Sequence, residues 1–218
     1  MSRQPKTFLF ADLAGFTALT EAHGNEEAAD LAADFGRCVR ALLPDYGAEE
    51  VKTLGDAIML QCHNATSAVE LGLRIVEEVN NRPQFPIVRV GMHSGDAVER
   101  SGDWFGNAVN VAARVSAAAG GNEVLLTQAT REAAGELDGI ELSRHGQQRF
   151  KNVREPVSLY RASRPGQEPD ERPIDPVCRM AIDPDETAGQ LRHGGKTYFF
   201  CSLACAERFA NEPGSYLA

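Results

Sequence analysis

Residues 8–17 read FLFADLAGFT, with Asp12 where an apolar run ends and Ala14-Gly15 letting the chain turn. Residues 51–59 read VKTLGDAIM and set a second carboxylate, Asp56, after Gly55 and before another apolar run. A carboxylate at a strand end beside tight backbone is a good hard-cation ligand, although an Asp there also serves as a turn or cap residue. Two such groups brought together would hold a pair of Mg²⁺ ions over a triphosphate. A third stretch, DWFGNAVNVAAR at 103–114, sets Asn110 and Arg114 four residues apart on one helix face, with Ala108, Val111, Ala112 and Val115 on the packing face. An Arg beside an Asn suits a site that grips a phosphoryl group and hydrogen-bonds a sugar; the same pair also fits a solvated helix face. Lys52 and Asp103 add a donor and an acceptor, matching an adenine edge with its ring-nitrogen acceptor and amino donor. Taken by themselves, such residues are more often surface charges.

A separate set of candidates lies near the C-terminus. The five cysteines are Cys38, Cys62, Cys178, Cys201 and Cys205. Their odd number and uneven distribution disfavour a secreted disulfide framework and point to a reducing cytoplasm. Cys38 and Cys62 fall in apolar segments and read as packing residues, with His63 a solvated strand end. Cys178 sits in DPVCRM at 175–180, and Cys201 and Cys205 sit in KTYFFCSLAC at 196–205. Three thiolates in this arrangement suit Zn²⁺ or Cu⁺, with His193, Asp175 or a water open as fourth ligand. The alternative is that the thiols pack a small core. A segment of about 44 residues rarely buries enough surface to fold without a staple, which favours a metal.

Composition bounds what these residues can serve. The chain has 218 residues, 43% hydrophobic and 24% charged, enough for one sizeable domain and a small one. A net charge of −9 argues against nucleic acid as partner. No apolar run nears the roughly 20 residues that span a bilayer, and the N-terminal run carries Asp12 and lacks a cleavage site, so neither a membrane span nor a signal peptide is expected.

The elements that must position the candidates follow from periodicity. A strand is expected over 6–11 and a short helix over 16–23. Asn25 is expected to cap a helix whose buried stripe is Ala28, Leu31, Ala32, Phe35, Val39 and Leu42. A hairpin over 49–62 carries Asp56 in its turn, and Asn64 caps a helix to residue 79. Pro83 and Pro86 close the connection to a strand over 87–92. The helix over 107–119 ends at Gly120-Gly121; a strand at 123–126, a helix at 128–134 and two strands over 140–160 complete the order. This alternation predicts a mixed sheet with helices on one face. Residues 163–174, SRPGQEPDERPI, read as a linker.

FLFADLAGFT, VKTLGDAIM and DWFGNAVNVAAR, in this order, resemble the signature blocks of class III nucleotidyl cyclases over about residues 6–161. The resemblance implies an α+β, ferredoxin-like βαββαβ domain at 1–162, a linker at 163–174 and a second domain at 175–218. It implies that Asp12 and Asp56 bind two Mg²⁺ or Mn²⁺ ions, that Lys52 and Asp103 select adenine, that Asn110 positions the ribose, and that Arg114 stabilises the transition state. ATP would be converted to cyclic AMP and pyrophosphate by two-metal catalysis. The family also implies a homodimer with Asp12 and Asp56 from one subunit and the other four residues from its partner. DPVC-M, YFFCS--C and F--EPGSYL look like a YHS domain, a small metal-associated, finger-like module, whose fusion suggests metal control of the cyclase. Guanylate cyclase, disfavoured by Lys52 and Asp103, and a non-catalytic nucleotide- or metal-sensing dimerisation module are the alternatives.

Overall fold

The computed structural model describes residues 5–82, 85–167 and 172–217. In chain order the elements are β1 (Lys6–Leu13), α1 (Phe16–His23), α2 (Asn25–Leu42), β2 (Ala48–Leu54), β3 (Ala57–Cys62) and α3 (Ala65–Asn80). There follow β4 (Val88–Gly95), β5 (Val98–Arg100), β6 (Asp103–Phe105), α4 (Asn107–Ala118), β7 (Val124–Thr127), α5 (Gln128–Ala134), β8 (Glu141–Gln148) and β9 (Val157–Ser163). The C-terminal part holds β10 (Gly189–His193), β11 (Lys196–Phe200) and α6 (Leu203–Asn211).

Residues 7–11 of β1 are all buried, so both faces of this strand are covered and it must lie inside a sheet. It pairs antiparallel with β3 on one side and β4 on the other. With β2 on β3, the order β2-β3-β1-β4 is the expected ferredoxin-like core, and β7-β9-β8 extends it to seven strands. β7 joins β4 in parallel and β9 in antiparallel fashion, giving the expected mixed sheet. β5 and β6 form a separate hairpin.

The helices do not share one face, contrary to the sequence expectation. Leu9, Ala11 and Leu13 of β1, with Val88, Val90 and Met92 of β4, pack with Phe35 and Val39 of α2 and with Leu71 and Ile75 of α3. Phe8 and Phe10 point the other way, onto Ala108 and Ala112 of α4. Helical periodicity reports that a helix has a buried stripe but not which sheet face receives it. On that second face α4 lies so near β4 that a Cβ on Gly91 would fall 1.9 Å from the backbone nitrogen of Ser116. Only a residue without a side chain lets this helix seat.

Capping was partly foreseen. Asn64 accepts from the Thr66 amide at 2.8 Å, as expected. Asn25 instead lies inside α2, with Gly24 as the cap residue and no side-chain cap bond. Gly24 has φ +90, a backbone setting that suits glycine and marks the sharp break between α1 and α2. Cys38 and Cys62 are packed as expected, and burial pushes the Cys62 thiol up to about 12.

The C-terminal part docks on α1 and α2. Val177, Cys178, Met180, Phe200, Cys205 and Phe209 share one apolar cluster with Leu19 and Ala28. A bridge joins Met180 to Pro86, and the Arg208 guanidinium donates to the Glu21 carbonyl at 2.7 Å. Of the expected linker, Ser163 closes β9, and residues 168–171 lie outside the described residues, as does Pro83. Among the described residues no helix is long and apolar enough to cross a membrane.

Candidate functional site

The strand register decides which candidates meet. Asp12 stands opposite Ala57 of β3 and opposite Arg89 of β4, and Asp56 immediately precedes Ala57 in the β2–β3 turn. The two carboxyls are therefore neighbours. Asp56 is raised from 3.8 to about 6, first by burial and then by the hydrogen bond and negative charge of Asp12. Arg89 donates to a single oxygen of Asp12, Oδ2, through Nε at 2.8 Å and Nη2 at 2.5 Å. One guanidinium thus faces two carboxylates. Two adjacent carboxyls facing one cation are the oxygen donor set a hard divalent cation takes, so these residues fit Mg²⁺ or Mn²⁺.

Residues two apart on a strand share a face. Asp12 shares the face of Phe8 and Phe10; Arg89 shares that of Gly91. Lys52 pairs with Met59, which pairs with Phe10, and so lies on the same side of the sheet. This is the face that α4 covers. Lys52 Nζ donates to Asp103 Oδ2 at 2.6 Å, while Asp103 Oδ1 accepts from the Trp104 amide at 2.8 Å. The Lys52 bond, above all, holds the Asp103 carboxyl below its ordinary range. The Trp104 ring packs on Phe8 at 5.5 Å and ties the β5–β6 hairpin to the core. Asn110 is exposed and Arg114 half-buried on α4. Arg114 has no ion-pair partner among the described residues. The chain thus gathers three pairs on one sheet face: Asp12 with Asp56, Lys52 with Asp103, and Asn110 one turn from Arg114.

Arg89 was not singled out in the sequence. Its signal was a lone cation inside the strand VRVGM, where every neighbour is apolar or Gly. A charge in such a run needs a partner on the adjoining strand.

The second candidate site is also assembled. Cys178 Sγ lies 3.3 Å from Cys201 Sγ, which lies 3.7 Å from Cys205 Sγ. The three are free thiols. Hydrogen bonds from Cys178 and Cys201, with the nearby His23, draw Cys205 toward the thiolate. Of the fourth-ligand candidates, Asp175 is excluded by its engagements. It is fully buried, its Oδ1 accepts from the Val177 and Cys178 amides at 2.8 and 3.4 Å, and its Oδ2 accepts from the Cys201 amide at 2.9 Å. It frames both cysteine-bearing turns. His193 sits at the end of the β10–β11 hairpin with its ring edge-on to Phe209, outside the thiol group. The residue that does join the thiols is His23 of α1, with Nε2 3.4 Å from Cys201 Sγ and 3.9 Å from Cys205 Sγ. Nothing in the sequence links it to cysteines more than 150 positions later.

With this geometry in place, similarity to known proteins is informative. The profile described as adenylate and guanylate cyclase catalytic domain matches residues 2–161, and that of the YHS domain matches residues 174–218. The pH-sensitive adenylate cyclase of Mycobacterium tuberculosis is 43% identical over 164 residues, covering 72% of this chain and 40% of the relative. An adenylate cyclase of Streptomyces griseus is 34% identical over 185 residues, covering 84% of this chain and 46% of the relative. The match thus spans less than half the length of each of these relatives. Among solved structures, a Trypanosoma brucei adenylate cyclase in its monomeric state superposes with a TM-score of 0.69 at 24% identity, over 83% of this chain and 94% of that one. This last likeness bears on the fold alone.

Proposed function

Because the chain belongs to the adenylate and guanylate cyclase catalytic-domain family, with a YHS domain after it, we propose that it is an adenylate cyclase making cyclic AMP and pyrophosphate from ATP. The observation that carries this reading is the contact of Asp12 with Asp56, two carboxyls whose mutual repulsion a divalent cation would relieve. Relatives named adenylate cyclases support ATP as substrate.

Asp12 and Asp56 would hold two Mg²⁺ or Mn²⁺ ions, which supply charge neutralisation at the phosphates and a lowered pKa for the ribose 3′-hydroxyl. Arg89, through its two bonds to Oδ2, aims the Asp12 side chain before a cation arrives and leaves Oδ1 to it. Lys52 and Asp103 already lie side by side at 2.6 Å, offering the purine edge one donor and one acceptor. Asn110 hydrogen-bonds the ribose. Arg114, with no ion-pair partner among the described residues, meets the charge that grows at the α-phosphate, where one well-placed donor is worth about 3 kcal/mol. No protein general base is assigned.

The site is divided between two subunits of a homodimer, Asp12 and Asp56 on one and Lys52, Asp103, Asn110 and Arg114 on the other. Leu54, Val98 and Phe105 support such a partner surface. They are 49%, 40% and 53% exposed at the β2–β3 and β5–β6 hairpins that carry the site residues. The domain division is 1–162, 163–174 and 175–218, and the thiols of Cys178, Cys201 and Cys205 hold a Zn²⁺- or Cu⁺-type ion that modulates the cyclase. Incubating the purified chain with Mg²⁺ or Mn²⁺ and either ATP or GTP tests the reading. Cyclic AMP is expected from ATP; cyclic GMP alone, or no cyclic product, would overturn it.

A further inference from the structure

The thiol group has a fourth member that no sequence pattern announced, and it comes from the other part of the chain. His23 ends α1, the helix that follows β1 directly after Asp12. Its Nε2 and the three Sγ atoms all lie within 4.8 Å of one another. A tetrahedral Zn²⁺ with bonds of about 2.3 Å to sulfur and about 2.0 Å to nitrogen has S···S edges of about 3.8 Å and S···N edges of about 3.5 Å. The distances found are 3.3 and 3.7 Å between sulfurs and 3.4 and 3.9 Å from nitrogen to sulfur. The edges of the coordination polyhedron are therefore largely in place.

The surroundings fit the same purpose. His23 Nδ1 lies 3.0 Å from Glu27 Oε1, in the first turn of α2 beyond the Gly24 break. Donation from Nδ1–H to that carboxylate leaves the Nε2 lone pair aimed at the thiols, the usual outer-shell arrangement of a ligating imidazole. Asp175 fixes both cysteine turns through three backbone amides. A cleft of about 290 Å³, lined by His23, Glu27, Leu31, Met180, Cys201 and Ser202, opens beside the cluster and gives an ion its way in.

We propose that His23 is the fourth ligand of a closed Cys₃His site for a Zn²⁺-class ion, so that the ion fastens the C-terminal segment to the cyclase helix α1. This deepens the reading of the three thiols as a metal site and rests on it. A Cys₃His set with no open position is structural in type. What it would stabilise is specific. At the far end of α1, a Cβ on Gly15 would fall 2.6 Å from the Cβ of Arg179, the residue after Cys178. The C-terminal segment thus touches α1 at both ends, at the turn three residues past Asp12 and at His23. Ion occupancy would set the position of the helix that leaves the catalytic strand.

The test uses the full chain, loaded with Zn²⁺ and, separately, with Co²⁺. X-ray absorption of the wild-type zinc form is expected to show three sulfur ligands and one nitrogen, and the cobalt form the intense visible bands of four-coordination. His23→Ala is expected to lower Zn²⁺ affinity, measured by chelator competition, by more than the 10- to 100-fold that outer-shell changes cost. It should also alter the cobalt bands and speed hydrogen exchange along α1, while His23→Cys keeps tight binding. A wild-type chain that takes up no ion would overturn the thiol-site reading itself. A wild-type ion with only sulfur and water ligands, or affinity and bands unchanged in His23→Ala, would overturn the His23 bridge and leave the thiol site standing.

Discussion

Replacing Asp56 by Asn should make the cation-free protein more stable while abolishing its activity. The Asp56 carboxyl is raised from 3.8 to about 6 by burial and by Asp12. A carboxyl whose folded-state pKa lies above its unfolded value favours the folded state below the unfolded value, and that contribution is lost as pH rises through the folded one. The wild type therefore gives up stability between about pH 4 and pH 7, and Asn, which stays neutral, does not. At about 1.36 kcal/mol per unit, the ceiling is about 3 kcal/mol. Asp56 is only half-buried, and solvent screening reduces this to about 1 kcal/mol. For a chain of 218 residues that is a rise in Tm of about 2–4 °C. The assay is thermal unfolding of both proteins from pH 4 to pH 8 in Mg²⁺-free buffer without chelator, so that a thiolate-held ion stays in place. The two should coincide near pH 4 and part as pH rises. Adding Mg²⁺ at 100 times its Kd should stabilise the wild type by about 2.7 kcal/mol and leave Asp56→Asn unmoved. Cyclase activity should fall about a thousandfold, the several kcal/mol that metal-borne charge stabilisation supplies. An Asp56→Asn protein less stable than wild type at pH 8, or one that keeps the Mg²⁺ shift, would refute the reasoning.

Three more outcomes follow from the same geometry. Protonated Asp56 cannot ligate, so the apparent Mg²⁺ affinity, read from activity at limiting Mg²⁺, should fall about tenfold per pH unit below about 6. Lys52→Ala removes one purine contact and leaves Asp103 without its partner at 2.6 Å; kcat/KM for ATP should drop about 10- to 100-fold and the ATP-to-GTP ratio should narrow. Gly91→Ala sets a methyl 1.9 Å from the Ser116 nitrogen and must lift α4 from the sheet, which should cost about 3 kcal/mol or more in denaturant unfolding and remove activity with it.

The sequence carried the strand and helix order because each element has a clear apolar period and a cap or turn at its ends. Asn64 and the β2–β3 turn at Gly55-Asp56 are examples. It did not tell which sheet face each helix takes, since a buried stripe looks the same from either side. The run FLFA in β1 did record covering on both faces. Asp12 and Asp56 could be proposed as neighbours because each sits beside tight backbone at a strand end. Arg89 and His23 could not, because what defines them is a partner brought close by topology. Arg89 faces Asp12 across a strand pair 77 positions apart, and His23 faces Cys201 across 178. Asp175, one of three options open for the fourth ligand, is buried and its oxygens accept from backbone amides, which its place in DPVC does not reveal.

The composite site is tested most directly by mixing two inactive variants, Asp12→Ala and Arg114→Ala. If one subunit supplies the carboxylates and the other the arginine, each mixed dimer holds one intact site and one doubly damaged one. Random assortment makes half the dimers mixed, so cyclic AMP formation should recover to about a quarter of the wild-type rate. Mixed dimers that form, as judged by co-purification of differently tagged chains, yet make no cyclic AMP would contradict the account.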